Sequence, residues 1–297
     1  MNIFATPRRC LDGKVAIVTG GSQGLGFEIA RQYVEAGASL LVCARDASQL
    51  EASVSNLHVL LTPGQKVVAV VGDVATEQDV EHICSSALTS FGRIDVLVNN
   101  AGIQGPMGKL EDVDWREWVR TIEVNVLGSV LMARAVAPTM RAQGSGKILQ
   151  LSGGGATSAM PGMSAYAVSK AAIVRFVETL AEELQGSGID VNAIAPGAVN
   201  TRMLDQVLAA GADKVGSRYF EKALQQKISG GASIQEAAAL AVFLASAASD
   251  GITGRLISAV WDNWRNLTER KRALAESDVY TLRRITTRDR GLDWGDR

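Results

Sequence analysis

Several features are scarce in this 297-residue chain, and each scarcity excludes a class of protein. The three cysteines are odd in number and lack metal-ligand spacing, which favours a reduced cytosolic interior over a disulfide framework. The two histidines lie on predicted helices without a third ligand. No apolar run approaches the ~18 residues of a membrane span, and the N-terminus lacks the apolar stretch of a signal peptide. Because 30 basic residues oppose 31 acidic ones, no surface for nucleic acid is expected. We expect a soluble, cytoplasmic protein with no metal and no membrane or nucleic-acid partner.

The chain does contain an organised opening segment. An apolar run at residues 15–18 is followed by the turn Thr19-Gly20-Gly21-Ser22-Gln23-Gly24-Leu25-Gly26, and then by a helical pattern. Three glycines there can permit a tight turn, let a phosphate approach the backbone and let the helix pack on the strand. The helix N-terminus would face an anion. The alternative is a loop tightened only for packing.

Strands and helices alternate after this segment. Apolar runs at residues 39–43, 66–71, 94–98, 147–151 and 189–194 predict strands, and helical patterns cover 46–61, 77–91, 114–141, 164–184 and 234–246. Repeated βα units predict an α/β fold, with a doubly wound parallel sheet of the Rossmann type and helices on both faces. We expect one dinucleotide-binding and catalytic domain over residues 1–262. A charged C-terminal extension follows at 263–297.

Motifs along the chain resemble those of the short-chain dehydrogenase/reductase family, over roughly residues 11–258. They are Thr19-Gly-x-x-x-Gly24-x-Gly26, Asp73, Asn99-Asn-Ala-Gly102, Asn125, Tyr166-x-x-x-Lys170 and Pro196-Gly197 with Thr201. The resemblance implies a nicotinamide-dinucleotide fold, an adenine contact from Asp73, and a Tyr/Lys site assisted by Asn125 and a serine. The predicted cofactor-binding residues are Gly20, Ser22, Gln23, Gly24, Leu25, Gly26, Arg45, Asp73, Val74, Asn99, Ala101, Gly102, Tyr166, Lys170, Pro196, Gly197, Val199 and Thr201.

Tyr166 and Lys170 are the predicted acid/base pair. Four residues apart on a helix, they lie on one face, so an ammonium can sit near a phenol. A nearby cation favours the phenolate and would bring the tyrosine pKa down towards neutrality. A packed tyrosine and a solvated lysine at chance spacing are the alternative.

The cofactor choice is predicted from the end of the second strand. An acidic residue there would bind a ribose 2′-hydroxyl, whereas an arginine accommodates a 2′-phosphate. Here Ala44 stands at the acidic position and Arg45 follows it, which favours NADP(H) over NAD(H). Two features oppose this: Gln23 occupies a turn position that is often basic in NADP-preferring relatives, and Asp46 could neutralise Arg45.

Two further residues, Asn125 and Ser152, are predicted to assist the acid/base pair. The amide of Asn125 is predicted to hold a water near Lys170, or to be a satisfied structural asparagine. In the family the serine precedes the tyrosine by about thirteen residues, which places Gly153 at that position. Ser152 is our predicted donor, provided that the glycines after it bulge the strand end and re-aim its hydroxyl. The alternatives are Thr157, Ser158, a backbone N–H of the glycine turn, or no donor.

These features predict an oxidoreductase that transfers a hydride between NADP(H) and a carbonyl or alcohol group of a small molecule. An epimerase or other net non-redox enzyme on the same scaffold, or a non-catalytic dinucleotide-binding protein, are the alternatives. The helices at 115–140 and 164–184 each carry more apolar residues than one buried face needs, which predicts a homodimer or homotetramer. Residues 201–231 form either a lid and substrate wall or a structural helical hairpin. The extension is either solvated or docked through its apolar residues Leu282, Ile285, Leu292 and Trp294.

Overall fold

A seven-stranded parallel sheet forms the centre of the molecule in a computed structural model that describes residues 9–295. The strand order is β3-β2-β1-β4-β5-β6-β7. The strands are β1 (Val15–Thr19), β2 (Ser39–Ala44), β3 (Val67–Val71), β4 (Val96–Asn99), β5 (Gly146–Leu151), β6 (Ile189–Ala195) and β7 (Arg255–Ser258). The outer ends of the predicted domain and extension, residues 1–8 and 296–297, lie outside the described residues. The order reverses between β1 and β4, which opens a crevice at their carboxyl ends.

Helices cover both faces of this sheet, as predicted. They are α1 (Gly24–Glu35), α2 (Ala47–His58), α3 (Glu77–Phe91), α4 (Trp115–Ile122), α5 (Gly128–Gln143), α6 (Ser164–Glu183), α7 (Arg202–Ala210), α8 (Ala212–Val215), α9 (Ser217–Ser229), α10 (Ile234–Ala245) and α11 (Lys271–Ala275). One core packs α1, α2 and α10 on the sheet, and the other packs α3, α5 and α6. Within residues 9–295 no helix has both the length and the apolarity needed to cross a bilayer.

The long helix predicted over residues 114–141 is interrupted. Between α4 and α5 the chain makes a π-helical turn over Glu123–Leu127. Asn125 lies in this turn, and its main-chain carbonyl accepts a hydrogen bond from the Ser129 hydroxyl at 3.0 Å. Such turns fit one more residue into a helix and often mark functional positions. Periodicity alone did not distinguish the turn from a regular helix, because its flanks keep the same apolar pattern.

Helices α7, α8 and α9 fold back over the carboxyl edge of the sheet. Leu204 and Val207 from α7 and Ala223 from α9 form a small apolar cluster with Met163, which precedes α6. Tyr166 on α6 packs against the same cluster. The segment at residues 201–231 is therefore helical and lies against the helix that carries the predicted acid/base pair.

The C-terminal extension packs on the body of the protein. Trp264 is buried, and its ring lies 5.7 Å from that of Phe243 on α10. Arg255 on β7 donates to main-chain carbonyls of the extension, and the Leu256 N–H donates to the Tyr280 carbonyl at 2.8 Å. The extension therefore covers the free edge of β7, where unpaired backbone groups would otherwise be exposed. Of the four apolar residues predicted to dock, Leu282 packs on the core, whereas the other three remain exposed: Ile285, Leu292 and Trp294.

Candidate active site

A cleft of about 1520 Å³ runs along the carboxyl ends of the strands. Most of the predicted site residues line it: Gly20, Ser22, Gln23, Gly24, Leu25, Gly26, Arg45, Asp73, Val74, Ala101, Gly102, Ser152, Tyr166, Lys170, Pro196, Gly197, Val199 and Thr201. Two predicted residues, Asn99 and Asn125, lie behind the cleft wall and are almost fully buried. The tertiary structure thus brings together residues that are far apart in the chain.

Three glycines shape the turn between β1 and α1. Gly20 and Gly24 have φ values of +63° and +55°, a region that favours glycine. A Cβ on Gly26 would lie 2.3 Å from the Asn100 amide nitrogen and 2.4 Å from the Gly20 carbonyl oxygen. At Gly24 a Cβ would meet only Thr201, at 3.8 Å, so this position opens onto the cleft. The turn therefore leaves room for a ligand group beside the N-terminus of α1, where backbone N–H groups favour an anion.

Thr19 and Asn100 hold the ends of β1 and β4 together. The Thr19 hydroxyl accepts from the backbone N–H groups of Asn100 and Ala101, both at 3.0 Å. The Asn100 amide donates to the carbonyls of Thr19 and Gly20, also at 3.0 Å. These bonds fix the glycine turn on the sheet, a structural role that the sequence motif did not reveal for Thr19.

A group of charged residues lies at the β2–β3 end of the cleft. The Arg45 side chain is 58% exposed, and its Nη1 lies 3.8 Å from Oδ2 of Asp73. The same Asp73 carboxylate is paired with Arg120 from α4. Asp46 caps α2 by accepting from the Gln49 N–H at 3.0 Å, and it forms no ion pair within the described chain. The concern that Asp46 would neutralise Arg45 is therefore wrong, and Asp73 is the carboxylate that approaches it.

Asn125 joins the π turn to the loop after β4 and to α6. Its amide donates to the Ile103 carbonyl at 2.8 Å and to the Ser169 hydroxyl at 2.9 Å, and it accepts from the Ile103 N–H at 2.8 Å. Both amide hydrogens are thus used by the protein. A water near Lys170 would have to use the remaining lone pair of Oδ1 or a neighbouring main-chain group.

Tyr166 and Lys170 lie together at the centre of the cleft. The Lys170 Nζ is 5.6 Å from the centre of the Tyr166 ring and donates to the Leu151 carbonyl at 2.7 Å. Burial raises the pKa of Tyr166 to about 12, with a smaller contribution from nearby Tyr219. Burial also lowers the pKa of Lys170 to about 8. The expected downward shift of the tyrosine pKa is therefore wrong for this structure, because burial disfavours the charged form of the phenol.

Ser152 and Gly153 differ in what they face. Gly153 is extended, at φ −176° and ψ −179°, so the strand alternation continues and the bulge predicted to re-aim Ser152 does not form. A Cβ on Gly153 would lie 2.7 Å from the Tyr166 hydroxyl, whereas the Ser152 hydroxyl points to the Lys170 carbonyl, 3.4 Å away. Thr157 and Ser158 line the cleft just beyond. The condition on which Ser152 was the predicted donor is therefore not met, and the choice between Ser152 and the alternatives Thr157 and Ser158 stays a prediction.

Two residues that contact the site were not predicted. Arg120 pairs with Asp73, which lies 47 residues earlier in the chain, and no local motif predicts that pairing. Tyr219 lines the cleft from α9 and packs in the same cluster as Tyr166. The sequence shows Tyr219 within the long segment before α10, but the direction of its side chain depends on how α7–α9 fold back over the cleft.

Comparison with known proteins agrees with this geometry. A family model described as short chain dehydrogenase matches residues 14–211. The porcine (Sus scrofa) dehydrogenase/reductase SDR family member 4 is 33% identical over 250 residues, covering 84% of this chain and 87% of the relative. The 7alpha-hydroxysteroid dehydrogenase of Escherichia coli K12 is 34% identical over 256 residues, covering 86% and 96%. The chain belongs to the short-chain dehydrogenase/reductase family.

Solved structures agree at the level of the whole fold. NAD⁺-bound xylitol dehydrogenase has a TM-score of 0.77 at 30% identity, covering 84% of this chain and 98% of its own. Gluconate 5-dehydrogenase from Burkholderia cenocepacia, in complex with NADP and tartrate, has a TM-score of 0.73 at 30% identity, covering 84% and 95%. The protein is therefore an NAD(P)-dependent oxidoreductase that transfers a hydride to or from a small molecule. These two neighbours carry different dinucleotides, so they do not decide between NAD and NADP.

Proposed function

We propose that this enzyme is an NADP(H)-dependent carbonyl reductase or alcohol dehydrogenase in which Tyr166 is the acid/base. The observation that carries the proposal is the half-buried Tyr166 with the buried Lys170 beside it, next to a glycine turn that is open to an anion. A phenol with a pKa of about 12 is protonated at neutral pH, which suits donation of a proton to a carbonyl oxygen.

The residues of the cleft fit a bound nicotinamide dinucleotide. The turn at Gly20 and Gly24 and the N-terminus of α1 would hold the pyrophosphate, and Asp73 would contact the adenine. When bound, the reduced nicotinamide supplies the hydride to the carbonyl carbon. Tyr166 gives its hydroxyl proton to the oxygen, and Lys170 stabilises the resulting phenolate through its charge. Asn125 positions this pair by holding α6 through Ser169.

The preference for NADP(H) rests on Arg45. Its exposed guanidinium stands at the end of β2 with only a 3.8 Å approach to Asp73, so it is free to turn towards a 2′-phosphate. Ala44 supplies no carboxylate to bind the 2′-hydroxyl of NAD(H) or to repel a phosphate.

We also propose a homodimer or homotetramer in the cytoplasm. Leu127 in the π turn and Val168 on α6 are 50% and 49% exposed, although both belong to helices that otherwise pack on the core. A second copy related by a twofold axis would cover both side chains.

Substitution of Tyr166 tests the catalytic assignment. A substrate is first found by following NADPH oxidation with sugars, keto acids, ketoacyl thioesters and steroids. Tyr166→Phe is then expected to lower turnover by about 10²–10⁴ while leaving the NADPH dissociation constant within about threefold. Tyr33→Phe, which removes a buried hydroxyl that donates to the Ala241 carbonyl, is the matched control, because neither residue lines the cleft. Turnover within a few-fold of the parent would remove Tyr166 from the mechanism.

Substitution of Arg45 tests the cofactor assignment. The parent is expected to bind NADPH more tightly than NADH, and Arg45→Ala to lose about tenfold or more for NADPH only, because a bidentate phosphate contact is worth about 1.5–3 kcal/mol. Arg272→Ala removes an equal charge from an 89% exposed position on the extension and serves as control. Equal affinity of the parent for both dinucleotides would contradict the preference.

A further inference from the structure

Asp73 is shared by two arginines from different parts of the chain. Its Oδ2 is paired with Arg120 on α4 and lies 3.8 Å from Nη1 of Arg45. The position of this carboxylate is fixed, because its Oδ1 accepts from the Ala75 N–H at 3.0 Å. The Asp73 carboxylate therefore keeps its place at the β2–β3 end of the cleft, whichever way the Arg45 side chain turns.

This carboxylate works against recognition of a phosphate by Arg45. It attracts the guanidinium that would have to leave it, and it repels a dianionic group placed beside it. Arg120 opposes both effects, since its Nη2 neutralises Asp73 while its Nη1 is held by Glu123 at 3.1 Å. Arg120 is half-buried and does not line the cleft, so it acts on a ligand there through Asp73.

We propose that Arg120 is a specificity-determining residue for the 2′-phosphate: by neutralising Asp73 it releases Arg45 to bind NADP(H) in preference to NAD(H). This inference rests on the proposed role of Arg45. It makes Arg120 a positioning residue, whose loss changes the discrimination between the two dinucleotides rather than the affinity for both. Contact of Asp73 with the adenine, by contrast, is common to NADPH and NADH and leaves their ratio unchanged.

The test is equilibrium titration of NADPH and of NADH, each against the parent and Arg120→Gln. The ratio of the two dissociation constants is expected to move about five- to tenfold towards NADH, the size of one nearby unit charge in a partly screened site. Arg116→Gln is the matched control, with an expected change within twofold. Arg116 is an exposed arginine one turn earlier on α4, and no ion pair involves it within residues 9–295.

Two further variants separate this mechanism from a structural one. Asp73→Asn combined with Arg120→Gln removes the carboxylate and its partner together, and is expected to return the ratio to within about twofold of the parent. In an Arg45→Ala background, Arg120→Gln is expected to leave the ratio unchanged. The double variant also contains no unpaired Asp73, so it remains informative if Arg120→Gln alone folds poorly.

The outcomes have distinct meanings. A parent without preference for NADPH would contradict the proposed function, whereas an unchanged ratio in Arg120→Gln would overturn only this inference. An equal loss of affinity for both dinucleotides would also overturn it, because Arg120 would then serve only to hold Asp73 for the adenine. A ratio shift that persists in the Arg45→Ala background would show that Arg120 does not act through Arg45.

Discussion

Lys170 carries a buried positive charge, which lowers the stability of the folded protein at neutral pH. Only 6% of the residue is exposed, its Nζ has the Leu151 carbonyl as a partner, and it forms no ion pair with any described carboxylate. Burial lowers its pKa from 10.5 to about 8. Methionine has nearly the same length without the charge, so Lys170→Met is expected to raise the stability of the protein while impairing turnover.

The size of this effect follows from the two pKa values. Each pH unit between them corresponds to about 1.4 kcal/mol, so protonated Lys170 lowers the unfolding free energy by about 3 kcal/mol. The methionine variant forfeits the bond to Leu151 and leaves that carbonyl unpaired, which costs about 1–2 kcal/mol. We expect a net gain of about 1–2 kcal/mol at pH 7, seen as a melting temperature a few degrees higher.

The pH dependence has a defined sign. Below pH 8 both the folded and the unfolded chain hold the lysine proton, so the penalty is full and constant. Between pH 8 and about 10.5 only the unfolded chain holds it, and the parent therefore gains stability from this group as pH rises. The advantage of Lys170→Met over the parent should shrink across that window and vanish or reverse above it.

Urea titrations of the parent and the variant at several pH values, without dinucleotide, would measure this difference. Lys147→Met is the matched control, because Lys147 is also buried but pairs with Asp190 at 2.6 Å and Asp250 at 2.8 Å. Its loss leaves a largely buried carboxylate unpaired and should destabilise the protein at neutral pH. Parallel stability profiles of the parent and Lys170→Met from pH 7 to about 10.5 would refute the reasoning.

Three other measurements address the turn, the missing serine and the assembly. Gly26→Ala should destabilise the protein by about 2 kcal/mol or more, because its Cβ would lie 2.4 Å from the Gly20 carbonyl oxygen; an unchanged melting temperature would show that the turn relaxes freely. Ser152→Ala should cost less than about tenfold in turnover, and Thr157→Val with Ser158→Ala about 10²-fold, as for a preorganised donor. The opposite order would return the role to Ser152. Light scattering should report a dimer or tetramer at micromolar concentration, and a monomer would contradict the twofold assembly.

The sequence by itself determined the features that depend on neighbouring residues. Buried apolar runs and helical periods gave the alternating βα order, and a parallel sheet covered on both faces follows because parallel strands need crossover helices. Gly20, Gly24 and Gly26 could be placed in the turn because backbone conformation and close approach constrain the residue type at each position. The spacing of Tyr166 and Lys170 likewise put both side chains on one face of a helix.

The tertiary structure decided everything that depends on burial and distant contacts. It set the pKa directions of Tyr166 and Lys170, because hydration is lost only when other elements cover these side chains. It kept Gly153 extended, so the side of the strand that Ser152 faces followed from backbone geometry rather than from the glycine-rich composition. It also paired Asp73 with Arg120, which lies 47 residues further along the chain. Such long-range pairings arise from the packing of whole elements, so a local sequence pattern does not predict them.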